Sequence, residues 1–216
     1  MAWEQHLQRE ESRYNDGSER LPDDADERQR QLTRIGNAAY GAGLSLLMLG
    51  GRDHASAWFE RAARAYRESY AHAPPGSWGR PIGALKARIL ADDWPAAGEE
   101  ARWALDERAA EAESPIGRYA GALALLTLER YEDARPVADS LRERDDFPHA
   151  VADALATLSA EDVLGYTYAI EAVLESFEQR EEYLEDIPVA DTVVVLQALA
   201  RRRDIDVELT SELLPE

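Results

Sequence analysis

Four histidines, several pairs of neighbouring acids and a set of arginines beside aromatic residues are the groups in this chain that could do chemistry. The histidines are His6, His54, His72 and His149. A zinc or general-base site on a helix needs two of them one turn apart, as in His-x-x-x-His or His-Glu-x-x-His. No two stand at that spacing, so scattered packing or surface histidines are the simpler reading. Asp23-Asp24, Asp92-Asp93 and Asp145-Asp146 fall where helices should start or turns should lie. Carboxylates there cap free N–H groups and favour the helix dipole, which is a simpler role than an acid/base pair. The stretch "GAGLSLLMLGG" is not followed by Lys-Ser or Lys-Thr, no Gly-x-Ser-x-Gly elbow occurs, and there is no cysteine. No catalytic residue, cofactor site or metal set is expected, and the chain is not read as an enzyme. What remains is recognition. Asn37, Tyr40, Trp78, Arg80, Lys86, Arg118, Tyr119 and Tyr166 are the candidate partner-binding residues, because aromatic and arginine side chains are the common interface anchors. The competing reading for Arg80 and Arg118 is pairing with local acids such as Asp92, Glu113 or Glu129.

The composition limits who the partner can be. Asp and Glu number 43 against 24 Lys and Arg, for a formal charge of −19, and Lys86 is the only lysine. The acids are spread along the chain, so this is not an acidic tail. A surface adapted to a salty cytoplasm accounts for them, because salt screens carboxylate repulsion while net charge preserves solubility. No basic stripe is present to neutralise phosphates, so nucleic acid is not expected as a partner. No run of about 18 apolar residues is present to cross a membrane, and the polar N-terminus does not read as a signal peptide. A cytoplasmic protein of a high-salt-adapted organism is the expectation.

Helices must position the candidate residues. The apolar periodicity predicts about ten helices and no strand. The first is expected from Trp3 to Tyr14, followed by a polar turn over Asn15 to Asp24. The next becomes apolar over Ile35 to Leu49 and stops at Gly50-Gly51. Ala55, Phe59, Ala62 and Tyr66 then repeat at helical spacing. From Pro148 the chain predicts a helix over "HAVADALATL" and one over "AEDVLGYTYAIEAVLESFEQREEYLE". In the latter, Val163, Tyr166, Ile170, Val173, Leu174 and Phe177 form a stripe, and Glu178, Glu181, Glu182 and Glu185 continue as a solvated face. The last helix follows Pro188, with Asp191 placed to cap it and Val193 to Ala200 apolar nearly all round. Arg201, Arg202 and Arg203 end it, where cations meet the dipole and where the chain's own acids are the expected partners. Ile205, Val207 and Leu209 alternate, which predicts an extended tail.

An internal repeat organises the middle. "GRPIGALKARIL" from Gly79 and "GRYAGALALLTL" from Gly117 share Gly-Arg, two residues, and Gly-Ala-Leu. Each precedes a second helix with an aromatic at its start. Trp94 matches Tyr131, Ala97 matches Ala134, and Ala101 matches Ala138. A fainter copy holds Gly41-Ala42-Gly43, Ala55 and Phe59. Gly83 and Ala84 are expected to meet Ala97 and Ala101 at the hairpin crossing. A glycine inside a helix costs about 1 kcal/mol relative to alanine, so its recurrence implies close packing. The pattern resembles the tetratricopeptide family over Gly36 to about Asp146, with Leu85 or Gly43 at the small position of the first helix and Ala97 or Ala55 at the alanine of the second. The resemblance implies an all-α fold of antiparallel hairpins stacked as a tetratricopeptide-like superhelix. A single domain is expected, with N-terminal helices over 1–34, hairpin repeats over 35–146 and capping helices over 147–216. The first helices would line a concave face carrying the eight candidate residues.

The closing region resembles the immunity protein 49 family. Ala169, Ala172, Leu174 and Glu175 carry the likeness, followed by Val193 to Ala200, Ile205, Val207, Ser211, Leu214 and Pro215. That family transfers no catalytic residues. The resemblance implies a protein that neutralises a toxin by binding it. Two other readings stand beside it: an all-α protein with a small-molecule or catalytic pocket closed by Tyr119, Tyr166 and Arg118, and a general scaffold or regulatory module.

Overall fold

The computed structural model describes residues 3–215, and every described element is helical. The helices are α1 (Trp3–Ser18), α2 (Ala25–Met48), α3 (Arg52–Tyr70), α4 (Gly79–Leu90), α5 (Trp94–Asp106), α6 (Pro115–Thr127), α7 (Tyr131–Arg142), α8 (His149–Ala160), α9 (Val163–Glu178) and α10 (Asp191–Arg201). Two 3₁₀ turns, Ala109–Glu111 and Leu184–Asp186, complete the set. The all-α class is therefore as the periodicity predicts. Within each unit, helices that follow one another pack on one another.

The chain groups into two compact units. One comprises Met1–Asp93, Glu182–Val189 and Leu214–Glu216; the other comprises Trp94–Glu181 and Ala190–Leu213. The boundary falls inside the stretch read as hairpin repeats, and α2 runs through the division expected at 34/35.

In the first unit α1 packs on α2, α2 on α3, and α3 on α4. Helix α1 outruns its expected end by four residues, because Gly17 is buried in its last turn against Gln31 and Ile35 of α2. Asp24 caps α2, accepting from the N–H groups of Asp26 at 3.1 Å and Glu27 at 2.9 Å. Gly50 ends α2 with φ +73°, a region glycine enters without penalty; its N–H reaches Leu47 O at 3.0 Å and that of Gly51 reaches Leu46 O at 2.8 Å. The buried Leu32, Ile35 and Ala65 pack with Tyr14 and Leu21.

In the second unit α5 packs on α6, α6 on α7, α7 on α8, and α8 on α9, with α10 against α8 and α9. Ser114 caps α6 through the Gly117 N–H at 3.1 Å, and Pro115 opens the helix, where a missing N–H costs nothing. The repeat alanines Ala97, Ala101, Ala134 and Ala138 are all fully buried. The two repeat glycines face the element that precedes them. A Cβ on Gly83 would stand 2.7 Å from the Tyr66 ring of α3, and one on Gly121 would stand 2.4 Å from Ala110 Cα in the 3₁₀ turn. Their small size thus serves packing on the preceding element.

The last third departs from expectation in two places. The single helix read from Ala160 to Glu185 is interrupted at both ends. Glu161 adopts φ +59° and Asp162 caps α9 through the Gly165 N–H at 2.9 Å. Helix α9 then stops at Glu178, and Glu185 does not continue a solvated face. At α10 the cap residue is Ala190, and Asp191 is the first helical residue, where its charge still favours the dipole. The tail alternates as predicted: Ile205 is buried and Val207 and Leu209 half-buried, with Asp206 and Glu208 exposed between them. It is held by Gln197 Nε2 donating to Val207 O at 3.0 Å.

Candidate functional site

The candidate residues divide between the units. Asn37, Tyr40, Trp78, Arg80 and Lys86 lie in the first, Arg118, Tyr119 and Tyr166 in the second. Burial corrects half of them. Tyr40 is buried edge-on against Phe59, with centroids 5.6 Å apart, and Tyr119 is buried against Phe147 at 5.5 Å. Lys86 is buried on α4 between Leu85 and Ala87, a helix whose middle turns inward on nearly all sides. Tyr166 is fully buried, and its hydroxyl has no hydrogen-bond partner among the described residues. Burial raises the Tyr166 pKa well above the ordinary tyrosine value, with Arg201 opposing the shift. These four are core residues rather than residues of an open face.

The other four are half-buried. Arg80 donates to Ser69 Oγ at 2.8 Å and to Gln29 Oε1. Its partners are neutral, and burial lowers its pKa from the ordinary arginine value. Arg118 donates to the Ala112 carbonyl at 2.9 Å. Neither arginine takes the acid partners expected of it: Arg80 ties α4 to α3 and α2, and Arg118 ties α6 to the turn before it. Trp78 stands at the start of α4.

Asn37 belongs to a buried polar chain that spacing did not reveal. Tyr66 Oη donates to Asn37 Oδ1 at 2.9 Å, and Asn37 Nδ2 donates to Glu185 Oε1 at 3.0 Å. Glu185 also pairs with Arg13, which reaches Glu10 Oε2 at 3.0 Å, while Arg9 Nε reaches Glu10 Oε1 at 2.7 Å. The Glu10 side chain is wholly removed from solvent, so both guanidinium contacts are needed to offset its desolvation. Burial works against the charge of Arg13, but the Glu185 hydrogen bond and the charges of Glu10 and Glu185 outweigh it and raise the Arg13 pKa. Glu185 and Asp186 sit at φ +56° and +54°, so this turn is shaped by what it binds. Gly41 leaves the space beside it, since a Cβ there would stand 2.5 Å from Ile187 and 3.1 Å from Glu10.

The three consecutive arginines find the chain's own groups. Arg202 lies over Trp94 at 4.3 Å and pairs with Glu129. Arg203 lies over Tyr131 at 3.9 Å, donates to Ser159 O at 2.9 Å and pairs with Glu161 at 3.2 Å. Arg201 pairs with Asp206 at 3.4 Å. Trp94 and Tyr131 are the equivalent aromatics of the repeat and open α5 and α7, so the turn after α10 meets two equivalent positions with two successive residues. The acid pairs are likewise used locally: Asp93 meets Arg88 and Asp146 meets Arg144. Among the described residues no group of three or more His, Asp or Glu comes together as a metal site, and no helix is long and apolar enough to cross a membrane.

An exposed apolar cluster opens α9. Val163 is 51% exposed, and Leu164 and Tyr168 are each 66% exposed. Leu164 and Tyr168 are one turn apart and share a face. Exposed Ala172 continues that face, with Glu171 and Glu175 beside it. Leu164 and Tyr168 fall off the buried Tyr166, Ile170, Val173, Leu174 and Phe177 stripe, as their spacing indicates, whereas Val163, expected in that stripe, opens the helix and is exposed instead.

No family model, no curated protein and no solved structure matches the chain.

Proposed function

We propose that this chain is a non-enzymatic, protein-binding helical repeat protein, and that it acts as an immunity factor that neutralises a protein toxin by occupying it. The carrying observation is the Val163, Leu164 and Tyr168 cluster, large apolar side chains held in water on a rigid helix. Aromatic anchors of this kind dominate interface energetics, and the acids around them suit a polar rim. The non-enzymatic reading is supported by the use of the acid pairs and arginines as caps, ion pairs and hairpin clamps. The toxin as partner rests on the closing residues that resemble the immunity protein 49 family, Ala169 to Glu175 and Val193 to Pro215. A tetratricopeptide-like array is the architecture this reading assumes.

The test is co-expression with the toxin-like product of a neighbouring gene, followed by affinity capture in molar KCl. Rescue and capture by the unaltered protein, with both lost in Leu164→Glu/Tyr168→Glu, is the expected result. Capture that survives this double substitution overturns the surface assignment. Failure to rescue, with capture intact, overturns the immunity role and leaves a scaffold.

A further inference from the structure

The chain has 43 acids for 24 cations, and two of its arginines that form no ion pair among the described residues line one cleft in the first unit. The end of α1, the turn after it and the first half of α2 border an open cleft of about 420 Å³ lined by Arg13, Arg20 and Arg34. Arg20 and Arg34 are exposed and form no ion pair among the described residues; Arg34 reaches only Gln31 Oε1, at 3.5 Å. Gln31 is itself oriented by donating through Nε2 to Gly17 O at 3.3 Å. Gly17 forms the floor: a Cβ there would lie 2.9 Å from Gln31 Nε2 and 3.0 Å from Ile35, so any side chain would push into the cleft wall. Asp16 is the one carboxylate on the lining, and its side chain takes Ser12 Oγ at 3.5 Å. Arg13 is already paired with Glu10 and Glu185, so Arg20 and Arg34 against the single lining carboxylate Asp16 leave that edge of the cleft cationic inside a strongly anionic protein.

We propose that this cleft binds a small polyanion, a ligand carrying two or more phosphate or carboxylate groups. Guanidinium forks match the oxygens of both groups in paired hydrogen bonds. The volume is that of a small-molecule site rather than a groove for an extended chain. Arg13 already shows the chemistry, because it holds the Glu185 carboxylate on its other side. The site is independent of the α9 surface, so its failure would leave that reading untouched.

The experiment is calorimetric titration of the full chain with pyrophosphate and, separately, citrate, in low-chloride buffer. Saturable one-to-one binding of at least one probe is expected, weakened about tenfold or more in Arg20→Gln/Arg34→Gln. A charge-matched control, Arg52→Gln/Arg102→Gln, removes two exposed arginines outside the cleft and should bind as the unaltered protein does. Binding of pyrophosphate alone assigns a phosphate ligand, of citrate alone a carboxylate ligand, and of both the shared oxyanion chemistry. In the unaltered protein the Gly17 and Gln31 amide resonances should move on saturation. The proposal is overturned if neither probe saturates, if the Arg20/Arg34 variant binds as tightly as the control, or if those two amides stay still.

Discussion

Gly98 and Gly121 are both buried glycines inside helices of the same unit, yet alanine should act on them in opposite directions. Replacing glycine by alanine in a helix interior is worth about 1 kcal/mol from backbone entropy and propensity. At Gly98 the nearest atom to the new Cβ is Arg102 Nη1 at 3.5 Å, an ordinary contact with the end of a flexible side chain. The full gain of about 1 kcal/mol should appear there. At Gly121 the new Cβ would lie 2.4 Å from Ala110 Cα, 2.5 Å from Ala110 N and 2.9 Å from Ala109 C. All three are backbone atoms. The turn is held from behind by Ala109, which is fully buried, and by Arg118 donating to Ala112 O at 2.9 Å. Relief to ordinary contact needs a shift of roughly 1 Å in that turn, and overpacking of this kind costs about 1–3 kcal/mol net. Urea unfolding followed by circular dichroism, at fixed KCl, should therefore separate the two variants by about 2–4 kcal/mol, with the parent between them. If Gly121→Ala matches or exceeds the parent, the repeat glycine is not there for the close approach of the preceding turn, and the packing argument fails.

Two further outcomes follow from buried polar groups. Tyr166→Phe should leave stability at neutral pH unchanged or raise it, by up to about 1–3 kcal/mol, because the hydroxyl is buried without a partner. The folded-state pKa of Tyr166 is raised by burial, so its contribution is complete below the unfolded value of about 10 and is lost as pH rises towards the folded value; urea midpoints above that pH should favour Tyr166→Phe increasingly, and a constant difference would refute the assignment. Glu185→Ala strips Asn37 Nδ2 and Arg13 of their shared acceptor, and with Arg13 partly solvated the expected loss is about 1 kcal/mol. Limited proteolysis should then cut the Glu182–Val189 segment faster than in the parent, and an unchanged rate would show that Arg9 on the Glu185 carbonyl and the buried Ile187 and Val189 hold the segment without the Glu185 side chain.

Local signals carried the fold and failed at the site for one reason. Helix ends are set by neighbours in sequence, so Asp24 reads as a cap and Gly50 as a stop directly. Face periodicity also made the α9 core legible. Glu185 was misread because its role depends on Arg13, Asn37 and Glu10, which lie on helices far away in sequence. A run of glutamates after an apolar stripe has the same spacing whether it faces water or bends into an arginine cradle. Residue type and register on a first helix are the same for a stripe facing a groove and for one facing the next helix, so the eight candidate residues do not declare their side. Tyr40 packs on Phe59 of α3, Tyr119 on Phe147 in the turn before α8, and the Tyr166 hydroxyl meets no partner among the described residues.

The arginines sharpen this point. Arg201, Arg202 and Arg203 look like one anion patch, since they are adjacent and cationic. Arg201 ends α10 and Arg202 and Arg203 follow in the turn, so neighbours in sequence leave the helix end in different directions and do not converge on one anion. The structure sends them to Asp206, to Trp94 with Glu129, and to Tyr131 with Glu161. Arg13, Arg20 and Arg34 are dispersed in sequence and carry no motif, yet two helices and a turn bring them to one cleft. Convergence in space requires separation along the chain. For recognition of an anion by a helical protein of this kind, the scattered arginines are therefore the informative ones, and the contiguous run is the part that folding uses.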